Sequence, residues 1–271
     1  GDGLPYQSED FNLQSRQVYP QPIAKPVAWA EGMRRFSPSA INEYMRCQLL
    51  FFYNRVAKIK APQKQTVIIE PNVLGSVFHK TAELFYLDFV EHGNPVITPA
   101  RLAPFLEPAA DASLVFYVRR AMAEEQVGEN VLVEQIVKSF FKQLLRNDSK
   151  LEIFKIKGLE TPRALTFNML VNGAVRQVEL CGIIDRMDIV SDPTINDGAE
   201  TLRIVDYKTN GSMEQALSME ALFTPGEKHP HYVLQTFLYA LMVAPDVNSM
   251  PLMPTLFFVN KYGDKNFLPY I

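Results

Sequence analysis

The sequence is poor in cysteine and has no long apolar run. Its two cysteines, Cys47 and Cys181, lie far apart, and the chain has neither a CxxC pair nor a Cys/His cluster of zinc-finger spacing. This pattern argues against a disulfide scaffold and against an all-cysteine metal site. No apolar stretch approaches the roughly 20 residues that a membrane span requires, and no signal peptide opens the chain. We therefore expect a cytoplasmic protein without a membrane partner.

Neither sign of charge dominates the chain. With 27 Lys and Arg against 30 Asp and Glu, the formal net charge is -3, which by itself does not favour a polyanionic partner. The sequence also lacks the GxxxxGK[ST] and GxGxxG motifs, so it is neither a P-loop motor nor a dinucleotide-binding enzyme. Hydrophobic residues make up 47% of the chain, which is enough for a substantial core.

The first 35 residues are polar and interrupted by prolines, a pattern typical of an arm or linker. We expect residues 36–271 to form one domain. Residues 99–150, which are rich in Ala, Glu, Gln and Leu, are expected to form a helical insertion within it. Because the chain opens without Met and closes without a polar tail, we also expect it to be a fragment of a longer protein.

Helical and strand periodicities divide this domain. Helical periodicity begins at the capping pair Ser37-Pro38 and continues along an apolar stripe. The stripe consists of Ile41, Tyr44, Leu49, Phe51 and Phe52. Further helices are predicted over residues 76–92 and 231–243. The predicted strands span residues 160–170, 176–190, 201–208 and 254–260. This mixture predicts an α/β fold whose sheet lies in the second half of the chain.

Two acidic strands carry the clearest chemical signal. If they form a hairpin with Val190 opposite Thr201, Asp185 lies opposite Asp206, with about 5 Å between their Cβ atoms. Lys208 lies two residues beyond Asp206 and therefore on the same face of the sheet. The hairpin thus brings two carboxylates and one ammonium together.

Opposed carboxylates in an apolar hairpin repel each other and need a cation. Mg²⁺ or Mn²⁺ is the natural candidate, because it prefers carboxylate oxygens and keeps water molecules that can act as nucleophiles. Lys208, placed opposite Ile183, would stabilise charge on a phosphate. Asp188 points to the other face and is expected to pair with Arg203. The plainer alternative is a solvated strand edge with an incidental ion pair.

Two predicted helices supply candidate partners for the carboxylates. His79 and Glu83 lie one turn apart, so an imidazole, with Glu83 as a further candidate ligand, would complete a metal site. The alternative is a partly buried His that Glu83 merely orients. Gln235 and Tyr239 are also one turn apart and are either core residues or rim residues that hold a phosphodiester or a base. The residues His92, His229 and His231 are expected to be solvated, and both cysteines to be small buried side chains.

Five short motifs occur in order between residues 36 and 240. They are Phe36-Ser37-Pro38-Ser39 with Tyr44, Cys47, Phe51 and Phe52; Gly75-Ser76-Val77-Phe78-His79; Gly182-Ile183-Ile184-Asp185-Arg186-Met187-Asp188; Val205-Asp206-Tyr207-Lys208-Thr209; and Gln235 with Tyr239. In this combination the chain resembles the PD-(D/E)XK nuclease superfamily, and within it the RecB/AddB-type nuclease domain.

The resemblance implies a restriction-endonuclease-like fold, in which helices flank a mixed central sheet. It also implies a Mg²⁺- or Mn²⁺-dependent deoxyribonuclease, with exonuclease activity in DNA repair or recombination and a helicase partner in cis or in trans. The implied metal ligands are His79, Asp185, Asp206 and the Tyr207 backbone carbonyl, and the implied catalytic residues are Lys208, Asp206, Asp185, Gln235 and Tyr239.

Two departures from this pattern matter. Many relatives bind an iron-sulfur cluster through one cysteine near the start of the domain and three near its end. Cys47 occupies the first position, but Gln48 replaces the usual proline and no later triplet occurs, so a cluster is not supported within this chain. Relatives are also often fused or bound to a helicase, which this chain does not contain. The choice between exonuclease and flap-type endonuclease therefore stays open.

The local charge departs from the chain average in two stretches. Basic residues outnumber acidic ones between residues 33 and 65 and again between 138 and 157, which indicates where a single strand or an end of DNA would lie. The candidate DNA-binding residues are Arg34, Arg35, Arg46, Arg55 and Lys58. Two other functions stay open. One is an inactive nuclease-fold module that binds DNA or scaffolds a repair complex, and the other is a metal-dependent hydrolase of a non-nucleic substrate.

Overall fold

A computed structural model describes five ranges of the chain. They are residues 34–59, 71–211, 218–226, 229–247 and 249–260. The predicted arm over residues 1–35 lies outside these ranges except for its last two residues. Arg34 and Arg35 belong to a strand rather than to an arm, because both pair with the sheet.

The described residues form seven helices and six strands. The helices are α1 (Pro38–Arg46), α2 (Gln48–Phe51), α3 (Pro71–Glu91), α4 (Pro99–Leu106), α5 (Asp111–Glu124), α6 (Val131–Asp148) and α7 (His231–Val243). The strands are β1 (Arg34–Phe36), β2 (Val96–Ile97), β3 (Ile153–Val171), β4 (Ala174–Ser191), β5 (Thr201–Lys208) and β6 (Leu252–Phe258). The predicted α/β class is confirmed. Helices α4, α5 and α6 lie within residues 99–150, as expected for the segment here called the helical insertion; that it is an insertion in the domain stays a prediction.

The strands form one mixed sheet in the order β2-β3-β4-β5-β6, with β1 added on β4. The β2–β3, β3–β4 and β4–β5 pairs are antiparallel, and the β5–β6 and β1–β4 pairs are parallel. Because β3 pairs along the whole of β4, β5 and β1 must share its other edge. There β5 covers residues 186–190 and β1 covers residues 178–180. Between them lies a short stretch of β4 that ends at Asp185.

A tight turn sets the register of the long β3–β4 hairpin. Asn172 and Gly173 both have positive φ values, 51° and 77°, as a two-residue hairpin turn requires. The resulting register continues as far as Gly158 opposite Met187, beyond which a bulge shifts the pairing by one residue. From Gly158 to the turn, the position of each residue on this hairpin therefore follows from the turn.

Helices pack on both faces of the sheet. Val205 and Tyr207 of β5 contact a core formed with α3, α4, α5 and α6. Ile204, which points to the other face as strand alternation requires, contacts α7 together with part of β4. The sheet therefore lies between the helical insertion and α7.

Across the described ranges, no helix has the length and apolar character needed to cross a membrane.

The first predicted helix is interrupted. Ser37 caps α1 by accepting the Ala40 N–H, but α1 ends at Arg46 because Cys47 takes an extended conformation. The short α2 and a π-helical turn follow. Tyr44 is 45% exposed and Leu49 is 48% exposed, whereas Phe51 and Phe52 are half-buried, so the predicted apolar stripe is wrong at Tyr44 and Leu49. The expectation that Cys47 is buried is also wrong, since its side chain is exposed.

A network of buried charges joins the helical insertion to the sheet. The predicted cross-strand pair is confirmed: Arg203 binds Asp188 through two hydrogen bonds of 2.8 and 2.9 Å. Arg186 binds Asp148, the last residue of α6, at 2.7 and 2.9 Å. The Tyr86 hydroxyl donates to the same carboxylate. These charged side chains are at most 4% exposed, so their charges are balanced inside the protein.

Candidate active site

The two acidic strands pair in the predicted register. The β4–β5 ladder ends where Arg186 lies opposite Val205. Asp185 and Asp206 occupy the next position of each strand, just outside the ladder. Asp206 is 1% exposed and Asp185 is 9% exposed, so both carboxylates are held in a nearly dry environment.

Strands β4 and β5 separate at Asp185. Its Oδ2 accepts the backbone N–H of Tyr207 at 2.7 Å, which places the carboxylate in the fork between the strands. The predicted pairing of Lys208 with Ile183 is therefore wrong. Lys208 pairs with β6, and Ile183 pairs with β3.

Helix α3 brings His79 to this fork. The helix begins at Pro71 rather than at the predicted Ser76, because proline suits the first turn of a helix. His79 Nδ1 lies 3.4 Å from Asp185 Oδ2 and 3.9 Å from a Glu160 carboxylate oxygen. One ligand atom from each of these three side chains lies within 4.8 Å of the others. An imidazole and two carboxylates at this spacing suit a divalent cation.

Glu160 is the site residue that the sequence reasoning missed. The neighbouring pairs of the β3–β4 ladder place it opposite Asp185. Its φ of 40° lies in the left-handed region, which is uncommon for a residue other than glycine and recurs at functional sites. A signal was present in the sequence, because a two-residue turn at Asn172-Gly173 alone sets Glu160 opposite Asp185.

Helix α7 brings Gln235 and Tyr239 to Asp206. Gln235 Nε2 donates to Asp206 Oδ1 at 3.1 Å and lies 3.0 Å from the Tyr239 hydroxyl oxygen. Lys208 Nζ lies 2.7 Å from the other oxygen of Asp206. Tyr239 is nevertheless largely buried and packs in the core beneath α7. Tyr239 is therefore a core residue, and its role toward a phosphodiester or a base stays a prediction.

Burial and opposite charges shift the pKa values of these groups. Burial raises the pKa of Asp206 to about 6, against the lowering effect of Lys208 and with a further increase from Asp185. Burial lowers the pKa of His79, but the carboxylates of Asp185 and Glu160 outweigh it and raise the value to about 10. His79 is therefore protonated in the metal-free protein. A metal ligand must be deprotonated, so an ion and this proton compete for His79.

A family model described as the PD-(D/E)XK nuclease superfamily matches residues 35–266. This chain belongs to that superfamily. The match spans the whole fork, from His79 on α3 to Tyr239 on α7, and the mixed sheet with flanking helices is the fold that the superfamily predicts. Membership implies a metal-dependent phosphodiesterase that acts on nucleic acid. A comparison with curated protein sequences finds no significant match.

In this PD-(D/E)XK domain, Glu83 lies beside the fork rather than in the three-residue cluster. It lines a cavity of about 530 Å³ together with His79 and Glu160. Its carboxylate lies 2.9 Å from the Lys80 ammonium. A metal-binding role for Glu83 therefore stays a prediction, as does the role of the Tyr207 carbonyl.

The candidate DNA-binding residues differ in their availability. Arg55 is held by Glu43 at 2.7 Å, and Arg35 is held by Glu179. Arg46 and Lys58 are exposed. Arg34 is partly exposed on β1. Among the basic residues of the first stretch that the structure describes, Arg46 and Lys58 make no ion pair.

The second basic stretch of the domain is less positive than its sequence indicates. Both Lys138 and Lys142 bind Asp111 on the neighbouring helix α5. The net charge counted within one segment does not include such pairing with acidic residues of another segment.

The expectation that His229 is solvated is wrong, since this residue is 5% exposed.

Proposed function

We propose that this chain is a divalent-metal-dependent deoxyribonuclease that hydrolyses phosphodiester bonds. The observation that carries the proposal is the convergence of four elements on one fork in the sheet. Helix α3 brings His79, β3 brings Glu160, β4 brings Asp185, and β5 brings Asp206 and Lys208.

The donor set fits Mg²⁺ or Mn²⁺. Carboxylate oxygens are the ligands that hard divalent ions prefer, and one imidazole is compatible with Mn²⁺ as well. His79, Glu160, Asp185 and Asp206 would hold the ion. When bound, the ion would supply an activated water molecule and would neutralise charge on the phosphate.

The remaining side chains position the reacting groups. Burial lowers the pKa of Lys208, but the carboxylates of Asp206 and Asp185 raise it above its usual value, so the side chain stays cationic. Held by Asp206, this ammonium would stabilise charge that develops on the phosphate. Gln235 orients Asp206 through its amide, and the Tyr207 N–H orients Asp185.

The finer features of the proposal are exonuclease activity at single-stranded DNA or DNA ends, a role in repair or recombination, and a helicase partner in cis or in trans. Their support is the RecB/AddB resemblance of the five motifs. The free cysteines give no support for an iron-sulfur cluster within this chain.

The test is a cleavage assay on labelled single-stranded DNA, double-stranded DNA and RNA, with Mg²⁺, Mn²⁺ or EDTA. We expect the wild-type chain to cleave DNA only with a divalent ion. Lys208→Met should slow cleavage by about 100-fold or more, because it removes a preorganised cation. Arg120→Met is the matched control, since Arg120 is an exposed cation that pairs with Glu124 on α5, outside both basic stretches. It should behave as the wild type.

Several outcomes would contradict the proposal. Salt-sensitive DNA binding without cleavage would favour the inactive nuclease-fold module. Cleavage of RNA alone, or of small phosphodiesters alone, would show that DNA is not the substrate. Product lengths separate the finer alternatives, because an exonuclease releases short products from an end and an endonuclease releases internal fragments.

A further inference from the structure

A second cavity, of about 530 Å³, lies between α1 and the beginning of α7. Hydrogen bonds join the segments that line this cavity. The Asn42 amide donates to the His231 carbonyl at 2.8 Å, and the Gly226 N–H donates to the Met45 carbonyl at 3.0 Å. Asn42 also lies 3.3 Å from His229 Nε2. The cavity is therefore a formed pocket rather than a gap between loose segments.

The lining of this pocket is cationic and rich in hydrogen-bond donors. The one carboxylate in it, Glu43, is bound by Arg55 at 2.7 Å and by the Asn54 amide, which offsets its charge. Arg46 is exposed to the pocket and makes no ion pair with any described residue. Ser39 adds a hydroxyl to the lining. A guanidinium beside hydroxyl and imidazole groups suits a phosphate.

Contacts through Tyr232 connect the pocket to the proposed catalytic lysine. His231 lies one helical turn before Gln235, the residue bonded to Asp206. The His231 ring lies against the Tyr232 ring at a tilt of 45°, with ring centres 3.9 Å apart, and Lys208 Nζ lies 5.0 Å from the centre of the Tyr232 ring. Tyr232 therefore contacts both Lys208 and a residue that lines the pocket, which favours a strand that reaches from one to the other.

We propose that this pocket binds a phosphate of the nucleic-acid strand next to the one that is cleaved, with Arg46 as the main cationic contact. The inference rests on the proposed nuclease function and names a binding subsite for its substrate. A terminal phosphate monoester and an internal phosphodiester share the chemistry that the pocket recognises. DNA with and without a terminal phosphate distinguishes them.

The test is fluorescence anisotropy in EDTA with short labelled single-stranded DNA that carries a 5′ phosphate, a 3′ phosphate or no terminal phosphate. We expect Arg46→Gln to weaken binding about tenfold. It should also lower the slope of log K against log salt by about one, because one phosphate contact is lost. Arg120→Gln, which changes an exposed arginine paired with Glu124 on α5, should match the wild type.

A preference for one phosphorylated end would identify a terminal phosphate, and equal affinities would identify an internal one. Inorganic phosphate should displace DNA from the wild type more readily than from Arg46→Gln. The proposal is overturned if Arg46→Gln matches Arg120→Gln in affinity and salt slope, or if the wild type binds no DNA. Thermal unfolding checks that both variants are folded.

Cleavage kinetics with Mn²⁺ separate this inference from the proposed function. If the wild type binds DNA through Arg46 but cleaves none, the result contradicts the nuclease proposal and supports the phosphate-binding pocket. If the wild type cleaves DNA and Arg46→Gln leaves KM unchanged, the result contradicts the pocket proposal alone. The expected result is a raised KM with little change in kcat.

Discussion

Asp206 is held in an environment that disfavours its own charge. The side chain is almost fully buried and lies close to the Asp185 carboxylate, while Lys208 and Gln235 compensate through one contact each. A divalent ion would relieve this conflict by adding positive charge between the carboxylates. A buried carboxylate with a raised pKa is typical of functional sites.

This environment predicts a stability change with pH. Because burial raises the pKa of Asp206 to about 6, the folded protein binds a proton that the unfolded chain releases above about pH 4. The metal-free protein should therefore lose about 3 kcal/mol of stability from this group as the pH rises from about 4 to 6. Urea unfolding in EDTA of the wild type and Asp206→Asn should differ by an amount that changes across this window. A pH-independent difference would contradict the assignment.

Glu160 and Glu83 give a matched pair for the metal site. Glu160 belongs to the three-residue cluster with His79, whereas Glu83 is paired with Lys80. Glu160→Gln should weaken Mn²⁺ binding about tenfold or more, because it removes an anionic ligand, and Glu83→Gln should change it little. Isothermal titration with Mn²⁺ measures both. An unchanged affinity in Glu160→Gln, or a larger loss in Glu83→Gln, would reverse the roles of the two carboxylates.

At the scale of elements, the contact between β4 and α7 determines where Gln235 lies. Gly182 on β4 faces the ring of Tyr239, and a Cβ atom at this position would lie 2.9 Å from that ring. Glycine therefore allows α7 to approach the sheet closely enough for Gln235 to reach Asp206. The site therefore depends on two features: β4 separates from β5, and α7 packs closely on β4.

Gly182→Ala should consequently damage both stability and activity. The methyl group must displace Tyr239, which overpacks the core at a cost of about 1–3 kcal/mol and moves Gln235 away from Asp206. Gly128→Ala is the matched control, because a Cβ atom there meets nothing within 4 Å. Chemical unfolding and Mn²⁺-dependent cleavage test both variants. Equal stability and activity in the two variants would show that the approach of α7 does not depend on Gly182.

At the scale of the whole molecule, the buried charge network connects the helical insertion to the sheet. Asp148 at the end of α6 binds Arg186 of β4, and both are almost fully buried. Loss of one partner would leave an uncompensated charge in the interior. The pairs of Asp111 with Lys138 and Lys142 also connect helices, but the Asp111 side chain is 41% exposed.

Asp148→Asn should therefore destabilise the protein by about 3 kcal/mol or more, while Asp111→Asn should have little effect. Although burial raises the pKa of Asp148, its arginine partners lower it below its usual value. The stabilisation by Asp148 is consequently present above about pH 4 and lost as the pH falls below that value. Urea unfolding at pH 7 and pH 3.5 tests both statements. Equal losses in the two variants would contradict them.

The net charge of -3 conceals an uneven distribution. The structure modifies the distribution that segment counts indicate, because Arg35, Arg55 and two lysines of α6 have acidic partners. Arg46 is the arginine of the first basic stretch that lines a pocket without an ion pair to any described residue. A polyanion would therefore be recognised by a small number of positions rather than by overall charge.

Much of this arrangement could be predicted from strand alternation and register. The pairing of Asp188 with Arg203, the bounds of α7 and the neighbouring positions of Asp185 and Asp206 all follow from local periodicity. The same reasoning, applied to the Asn172-Gly173 turn, would have placed Glu160. Register alone could not predict the separation of β4 from β5, because it depends on β1 replacing β5 along the edge of β4.

The interruption at Cys47 was beyond prediction for a different reason. The apolar residues that follow it have helical spacing, but Leu49 and its neighbour Leu50 face outward. Periodicity indicates which residues share a face and does not indicate whether another element covers that face. The buried state of His229 likewise depends on α1, which is distant in sequence.

We propose that His79, Glu160 and Asp185, together with Asp206, hold a divalent metal at the fork. Anomalous diffraction from a crystal soaked in Mn²⁺ checks this placement. We expect one strong peak within about 2.0–2.3 Å of a ligand atom from each of these four side chains. The absence of a peak there, or peaks only at surface carboxylates such as Asp111, would contradict it.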